Sequence, residues 1–319
     1  MIRFPLSLAA RSGQHGRLSI LIFHRVLREP DPLFPDVPSA ADFEARMRWV
    51  AAWCNVLPLQ QAVERLFEGS LPARALAVTF DDGYADNEEL AAPILHRMGL
   101  CATFFITTAY LDGGCMWNDR VIEAVRACRR DRLDLSALGL SIYELDSIGA
   151  RRQCIDDVLK RIKHLEQDQR ETTTRAIVAA AGGGHARALM MTRQQVRSLR
   201  TMGMEIGAHT MSHPILMRLE DGAALAEIRG GKAELEEIID GPVDLFAYPN
   251  GVPGQDYSAA HAAMVRECKF KAAVSTAVGA ASIRSDRYQL PRFTPWDRTR
   301  LRFGARLLLN LRQDEAIAT

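Results

Sequence analysis

The chain has 319 residues, of which 48% are hydrophobic and 25% charged, an ordinary globular composition that fits one large α/β domain or one domain with a sizeable insertion. Its 40 basic and 39 acidic side chains are interspersed and leave a net charge of +1, which argues against a nucleic-acid-binding face. Six cysteines, none in Cys-x-x-Cys spacing, argue against a zinc ribbon or a thioredoxin-like redox site and read as buried thiols of a reducing compartment.

Residues 1–18 carry only a short, proline-interrupted apolar stretch, without the unbroken apolar region of a secretory signal. The apolar run at 20–23 is far too short to span a bilayer, so the expected location is the cytoplasm. From there, strand-length apolar runs alternate with segments of helical periodicity. The first strand is predicted at 19–23, followed by helices at 41–53 and 59–67. A strand at 75–80, a helix at 87–98 closed by Gly99, and a strand at 101–106 come next. Residues 113–191 break the rhythm. They are periodic as helices at 121–130 and 156–165, show no strand signal, and end at a flexible joint, Gly182-Gly183-Gly184. That triplet is not a phosphate loop, because no Lys-Ser/Thr follows it. The segment is read as a helical insertion on the catalytic edge. The alternation resumes with a helix at 192–202 closed by Gly203, a strand at 204–209, a helix at 219–239 and a strand at 245–248. A helix at 257–267, a strand at 272–276 and a short strand around 288–290 complete it. Residues 301–312 are basic and amphipathic, read first as a packed terminal helix, with membrane-surface contact as the alternative. Such alternation implies parallel strands with crossover helices, enough to close a barrel, with an open doubly wound sheet as the rival.

Three predicted strands end in residues that can carry chemistry, and the carboxyl edge of the strands is where α/β folds build active sites. In Ala77-Val78-Thr79-Phe80-Asp81-Asp82-Gly83 the adjacent carboxylates repel unless a cation offsets them. Neighbours on a strand face opposite ways, so one Asp can hold a metal while the other faces a substrate water. A plain Asp-Asp-Gly turn is the bland alternative. His209 and His213 are four apart, but Pro214 disfavours helical geometry for His213 and implies a loop leaving the strand. One carboxylate and two imidazoles suit a catalytic Zn²⁺ or a related divalent ion. A lone histidine is more simply a core or cap residue; two in one strand exit, beside an Asp pair, point to metal. The third segment, Phe246-Ala247-Tyr248-Pro249-Asn250-Gly251, is a rigid turn that could offer a backbone N–H to an oxyanion, or merely a βα turn.

Together these segments resemble the polysaccharide deacetylases of the NodB-homology type, carbohydrate esterase family 4. Thr79-Phe80-Asp81-Asp82-Gly83 matches the family's first motif, His209-Thr210-Met211-Ser212-His213-Pro214 its second, and Pro249-Asn250-Gly251 the end of its third. The resemblance implies a distorted (β/α)₇ barrel. It also implies that Asp81 is the catalytic base and that Asp82, His209 and His213 are the metal ligands. The Asn250 N–H is implied to stabilise the oxyanion. The chain departs from the family at its final Leu-x-His motif, where Leu290-Pro291-Arg292 stands, and Ala247 occupies the place of the third motif's arginine. Arginine is a poor proton donor, so Arg292 could stabilise negative charge or supply the missing guanidinium. His24, closing the first strand, is the candidate for the general acid, with a buried structural histidine as its alternative. Trp117 and Trp296 are candidate stacking surfaces for a sugar, or core residues.

The expected organisation is an N-terminal segment (1–18), a NodB-homology deacetylase domain (19–298, with the insertion at 113–191) and a C-terminal amphipathic segment (299–319). The expected activity is hydrolysis of an N-acetyl group on an amino sugar of a polysaccharide or glycan precursor. The metal expected is divalent, Zn²⁺ first, with Co²⁺ or Ni²⁺ as alternatives. No nucleic-acid partner is expected. The expected setting is cytoplasmic, with a peripheral inner-membrane position through the C-terminal segment as an extension. The rivals are a catalytically silent glycan-binding relative, a deformylase acting on a lipid-linked sugar, and an open-sheet metallohydrolase.

Overall fold

The computed structural model describes residues 3–183, 188–313 and 316–319. The chain divides into two compact units, residues 1–29, 36–111 and 191–319 in the first and residues 30–35 and 112–190 in the second. In chain order the first unit opens with α1 (Arg3–Ala9), β1 (Ser19–Phe23), α2 (Ala40–Trp53), β2 (Asn55–Val56), α3 (Leu59–Phe67) and β3 (Ala75–Phe80). A π-turn (Asn87–Ala91) runs into α4 (Ala92–Arg97), and β4 (Thr103–Ile106) follows. The second unit holds α5 (Trp117–Ala127), β5 (Arg132–Asp134), β6 (Ile142–Glu144), α6 (Ile148–Ile162) and α7 (Gln167–Ala180). The first unit then resumes with α8 (Arg193–Thr201), β7 (Glu205–Ala208), α9 (Asp221–Ile239), β8 (Leu245–Ala247), α10 (Ala259–Glu267), β9 (Ala272–Val274) and α11 (Arg300–Asn310).

The strands of the first unit form one parallel sheet in the order β1-β3-β4-β7-β8-β9, with β2 beside the start of β3. Residues 290–293 close it. Leu290 bridges Val274 on β9, and Phe293 bridges Leu21 on β1, both in parallel sense. Six strands and this closing segment make the distorted (β/α)₇ barrel. The short strand expected at 288–290 is therefore only a pair of isolated bridges. Pro291 has no N–H to give a ladder, so a regular strand cannot run through it.

Burial on both faces explains the unbroken apolar strands: every residue of β1 and β3 is buried. Alternation still decides direction. Leu76, Val78 and Phe80 pack outward against the helices with Phe23, Phe43 and Phe104. Ala75 and Ala77 point to the inner cluster with Leu18, Ile20, Phe105, Ala247 and Val274. α3 covers the lower end of that cluster through Leu59, Ala62, Val63 and Leu66. Capping boxes at Ser39–Asp42 and Thr192–Gln195 start α2 and α8 where polar caps precede the periodic segments.

The second unit has its own core, with Val121, Leu133, Tyr143, Ile155, Val158 and Ile177 buried. The expectation of no strand in this segment is corrected, because β5 and β6 form a small antiparallel hairpin. Three-residue strands are too short to show a period of two. Trp117 packs against this core and under the Arg170 guanidinium. Of the glycine joint, Gly182 and Gly183 take positive φ, while Gly184 lies outside the described residues.

Candidate functional site

Strand parity divides the two aspartates. Residues 75, 77 and 79 of β3 face the barrel interior, and Asp81 continues that series as a buried side chain. Asp82 would point outward on a continued strand, but its φ of +78° turns the chain, and its carboxylate meets the histidines instead. Its Oδ1 lies 3.4 Å from His209 Nε2 and 3.3 Å from His213 Nε2. These three ligand atoms lie within 4.8 Å of one another.

Asp82 Oδ1 is buried and has no hydrogen-bond partner. Two imidazole nitrogens converge on it, and each offers a lone pair if its other nitrogen carries the proton. For His209 that condition holds: Nδ1 is 2.7 Å from the Ala247 carbonyl oxygen, which accepts only from Nδ1–H and leaves Nε2 as a ligand. An orphaned buried carboxylate oxygen between two such nitrogens fits a divalent cation. Burial alone would raise the Asp82 carboxyl, but the two histidines beside it outweigh that and hold it well below the usual carboxylate range. Burial pushes His213 down to about 4, keeping it unprotonated at neutral pH.

The histidine loop is built from strained backbone, as sites of this kind often are. Thr210 and His213 both take positive φ. Glu227 on α9 ties the loop down, accepting from the Met211 and Ser212 N–H groups at 2.8 Å and from the Ser212 hydroxyl at 2.6 Å. α9 comes this close because Gly230 and Gly231 have no side chains. A Cβ on Gly230 would sit 2.2 Å from Met211 Sδ, and one on Gly231 would sit 2.7 Å from the Thr210 carbonyl oxygen. Mid-helix glycine costs about 1 kcal/mol each, which the close approach explains.

Arg292 meets Asp81 in bidentate fashion: Nη1 donates to Oδ1 and Nη2 to Oδ2, both at 2.7 Å. Nε donates to the Ser275 carbonyl at 2.9 Å and Nη1 also to Thr79 Oγ1 at 3.1 Å. The guanidinium lies over the Phe105 ring, and Arg292 is fully buried. Burial would raise Asp81, but Arg292 outweighs it and holds the carboxyl below its ordinary value. The expectation that Arg292 is itself catalytic is thus refined. Its guanidinium donates to Asp81, Thr79 and Ser275, the arrangement expected of a residue that supplies the guanidinium missing at Ala247.

His24 leaves β1 as an exposed side chain, so the alternative of a buried structural histidine fails. It is near enough that its charge acts on Asp81, Asp82 and His213. Its carbonyl accepts from Asn87 Nδ2 at 2.8 Å. Asp86 holds the next residues, accepting from Arg25 Nε at 2.8 Å and the Val26 N–H at 3.2 Å. Asn250 sits at the exit of β8 with φ +59°. Its carbonyl accepts from Thr276 Oγ1 at 2.8 Å, and its N–H has no partner among the described residues.

Sequence reasoning missed Thr79, Phe105, Gly207 and Glu227. The first three were accessible through strand parity: Glu205, Gly207 and His209 share one face of β7, as Thr79 and Asp81 share one of β3. Gly207 makes room for Phe105, whose ring would lie 2.4 Å from an added Cβ. Glu227 lies a helix away and carries no local signal.

A family model described as polysaccharide deacetylase matches residues 68–273. YxkH of Bacillus subtilis (strain 168) is 28% identical over 98 residues, which is 30% of this chain and 34% of that protein's length. Among solved structures, the Streptococcus pyogenes deacetylase PplD in complex with acetate superposes with a TM-score of 0.60 at 17% identity, covering 93% of this chain and 99% of that one. IcaB from Ammonifex degensii gives a TM-score of 0.58 at 17% identity over 92% and 98% of the two chains. A de-N-acetylase from Aggregatibacter actinomycetemcomitans gives 0.53 at 15% identity over 87% and 95%.

Proposed function

Because the chain belongs to the polysaccharide deacetylase family, we propose that it is a metal-dependent hydrolase removing an N-acetyl group from an amino sugar of a polysaccharide or glycan precursor. The observation that carries this reading is the orphaned Asp82 oxygen between two histidine Nε2 atoms, beside a base held by an arginine. Solved relatives of the same fold that hold acetate or are described as de-N-acetylases favour acetyl as the group.

Asp82, His209 and His213 would hold the cation. When bound, Zn²⁺, Co²⁺ or Ni²⁺ supplies Lewis acidity that polarises an acyl carbonyl and acidifies water. The chain's own residues do the rest. Asp81, kept ionised by Arg292, accepts the proton of the attacking water. Arg292 fixes the plane of that carboxylate, so the base points one way before substrate arrives. The Asn250 N–H is available to the oxyanion that forms when water adds to the acyl carbon. As the C–N bond breaks, the leaving amine needs a proton, and the exposed His24 imidazole would give it. The products are the free amine and acetate. A purely binding protein has no use for a base held by two charge-assisted bonds, which weighs against the silent-relative reading.

The test is metal content and acyl release together. Wild-type protein should bind about one divalent ion per chain, and His213→Ala should lose it. Asp81→Asn should keep the ion and lose at least about tenfold in turnover on N-acetylated saccharides. Formate in place of acetate would move the reading to a deformylase. An ion bound in both proteins with no acyl release would overturn hydrolysis.

A further inference from the structure

The C-terminal helix is only half explained by packing. On one side of α11, Phe303 and Leu307 are buried, with Phe303 against Trp49 and Trp53. Asn310 anchors its end by donating to the Gly279 carbonyl at 2.9 Å. The opposite side is neither polar nor mixed. Leu301, Ala305 and Leu309 stand at i, i+4 and i+8 and share one stripe, with Leu301 76% and Leu309 62% exposed. Beside it Arg302 and Arg306 form a second stripe, continued before the helix by Arg298. Leu8 of α1, a helix in contact with α11, is 59% exposed, and Trp296 is 54% exposed.

Two further features separate this face from an ordinary solvated one. Exposed leucines scattered singly need no explanation, but two in register on one helix, with a leucine and a tryptophan nearby, do. The helix also has no acidic residue, and its first turn carries Arg300 and Arg302 with no acid. Cations at the positive end of a helix are unfavourable unless an anion approaches. Asp297 pairs with Arg306 and Asp36 with Arg298; for Arg302, on the ridge between helix and solvent, no ion pair is seen among the described residues. A cleft of about 390 Å³ lined by Asp36, Trp296, Arg298, Arg302 and Arg306 runs along this edge.

We propose that this face of α11 rests on an anionic lipid surface, with the Leu301–Ala305–Leu309 stripe and Trp296 entering the headgroup boundary and Arg302, flanked by the ion-paired Arg298 and Arg306, meeting lipid phosphates. Apolar and basic stripes side by side on one helix are the composition of an interfacial helix, and arginine stems extend along apolar surface while their heads reach phosphate. Among the described residues no helix is long and apolar enough to cross a membrane, so the contact is one of lying on the surface.

The experiment is co-sedimentation of the full chain with phosphatidylcholine vesicles, with and without phosphatidylglycerol. The wild type should bind only the anionic vesicles and be released by salt. Arg302→Glu should weaken partitioning by about tenfold or more, because each basic residue at an anionic surface contributes appreciably. Leu301→Gln/Leu309→Gln should weaken it roughly tenfold through lost apolar insertion. Both variants change exposed side chains, and an unchanged melting temperature with unchanged metal binding verifies their fold. Absence of binding to anionic vesicles overturns the proposal, as does binding that survives both variants. A concentration-dependent dimer abolished by the leucine variant, without vesicle binding, would assign the face to a second copy and overturn it equally.

Discussion

Replacing Arg292 by methionine separates Asp81, the proposed base, from its paired counter-charge while keeping the apolar stem. The pair is fully buried, and the two 2.7 Å bonds to Asp81 are the arginine's main polar contacts. Removing one partner of such a pair costs about 3–5 kcal/mol, because the other is left buried and uncompensated. The sign with pH follows from linkage. In the wild type Asp81 lies below its ordinary 3.8, so its contribution is present above that value and lost as pH falls through the lower folded one. In Arg292→Met, burial acts without its counterweight and lifts the folded carboxyl above its unfolded value. The folded variant then takes up a proton, and its deficit shrinks as pH falls. The stability gap between the two proteins therefore widens with rising pH and levels off. The acid limb of kcat/KM moves up for the same reason, since the base is ionised only above its raised pKa. Urea unfolding of chelator-treated protein across the acidic range reads the first effect, and a pH–rate profile the second. Arg292→Met/Asp81→Asn should recover part of the loss, as expected for residues in direct contact. A deficit below about 1 kcal/mol, or one that does not vary with pH while the acid limb stays put, would refute the assignment of Arg292 as the group that positions the base.

Glu227→Ala removes three hydrogen bonds from the histidine loop and should weaken metal affinity by about 10–100-fold, as loss of an outer-shell support does; competition with a chelating dye reads it, and unchanged affinity would show the loop holds its shape alone. Gly207→Ala forces a Cβ into the Phe105 ring and should cost about 1–3 kcal/mol by overpacking and lower turnover by disturbing the ring beneath Arg292; a melting temperature equal to wild type would count against that packing. His261 completes the cap of α10 by accepting from the Ser258 N–H at 3.0 Å, and burial lowers it from its ordinary 6.5. Its contribution is present above that value and lost as pH falls through the folded pKa. His261→Gln keeps an acceptor that does not titrate, so its melting temperature should fall less than the wild type's on acidification, and parallel curves would contradict this.

The fold was legible where burial is two-sided and long. β1, α3 and β3 stand where the apolar runs and periods place them. Short elements left no pattern: β2 spans two residues, β5 and β6 three each. The closing segment was visible as a strand but not as what it is, because the proline that breaks its ladder also lets Arg292 turn inward. The candidate metal ligands were legible because two of the three lie in one loop and the third beside a second carboxylate. Arg292 is 211 residues from the aspartate it holds, and nothing local to Leu290-Pro291-Arg292 says which carboxylate it meets. Only closure of the barrel, which brings 290–293 between β9 and β1, makes that contact inevitable.

The same closure explains why two adjacent aspartates do different work. They share sequence, burial and strand, and differ only in direction. Asp81, in register with Ala77 and Thr79, enters the barrel and finds Arg292. Asp82, turned out of register by its left-handed backbone, finds His209 and His213. Both carboxyls are held ionised, but by opposite means. One is satisfied by a permanent cation and is left with a fixed direction, as a base requires. The other keeps a buried oxygen without a partner, as a ligand requires. A single backbone torsion at Asp82, made tolerable by Gly83 beside it and by the Thr107 N–H donating to the Asp82 carbonyl at 3.2 Å, is what sends one carboxylate to Arg292 and the other to the histidines, the division that the proposed roles of base and ligand require.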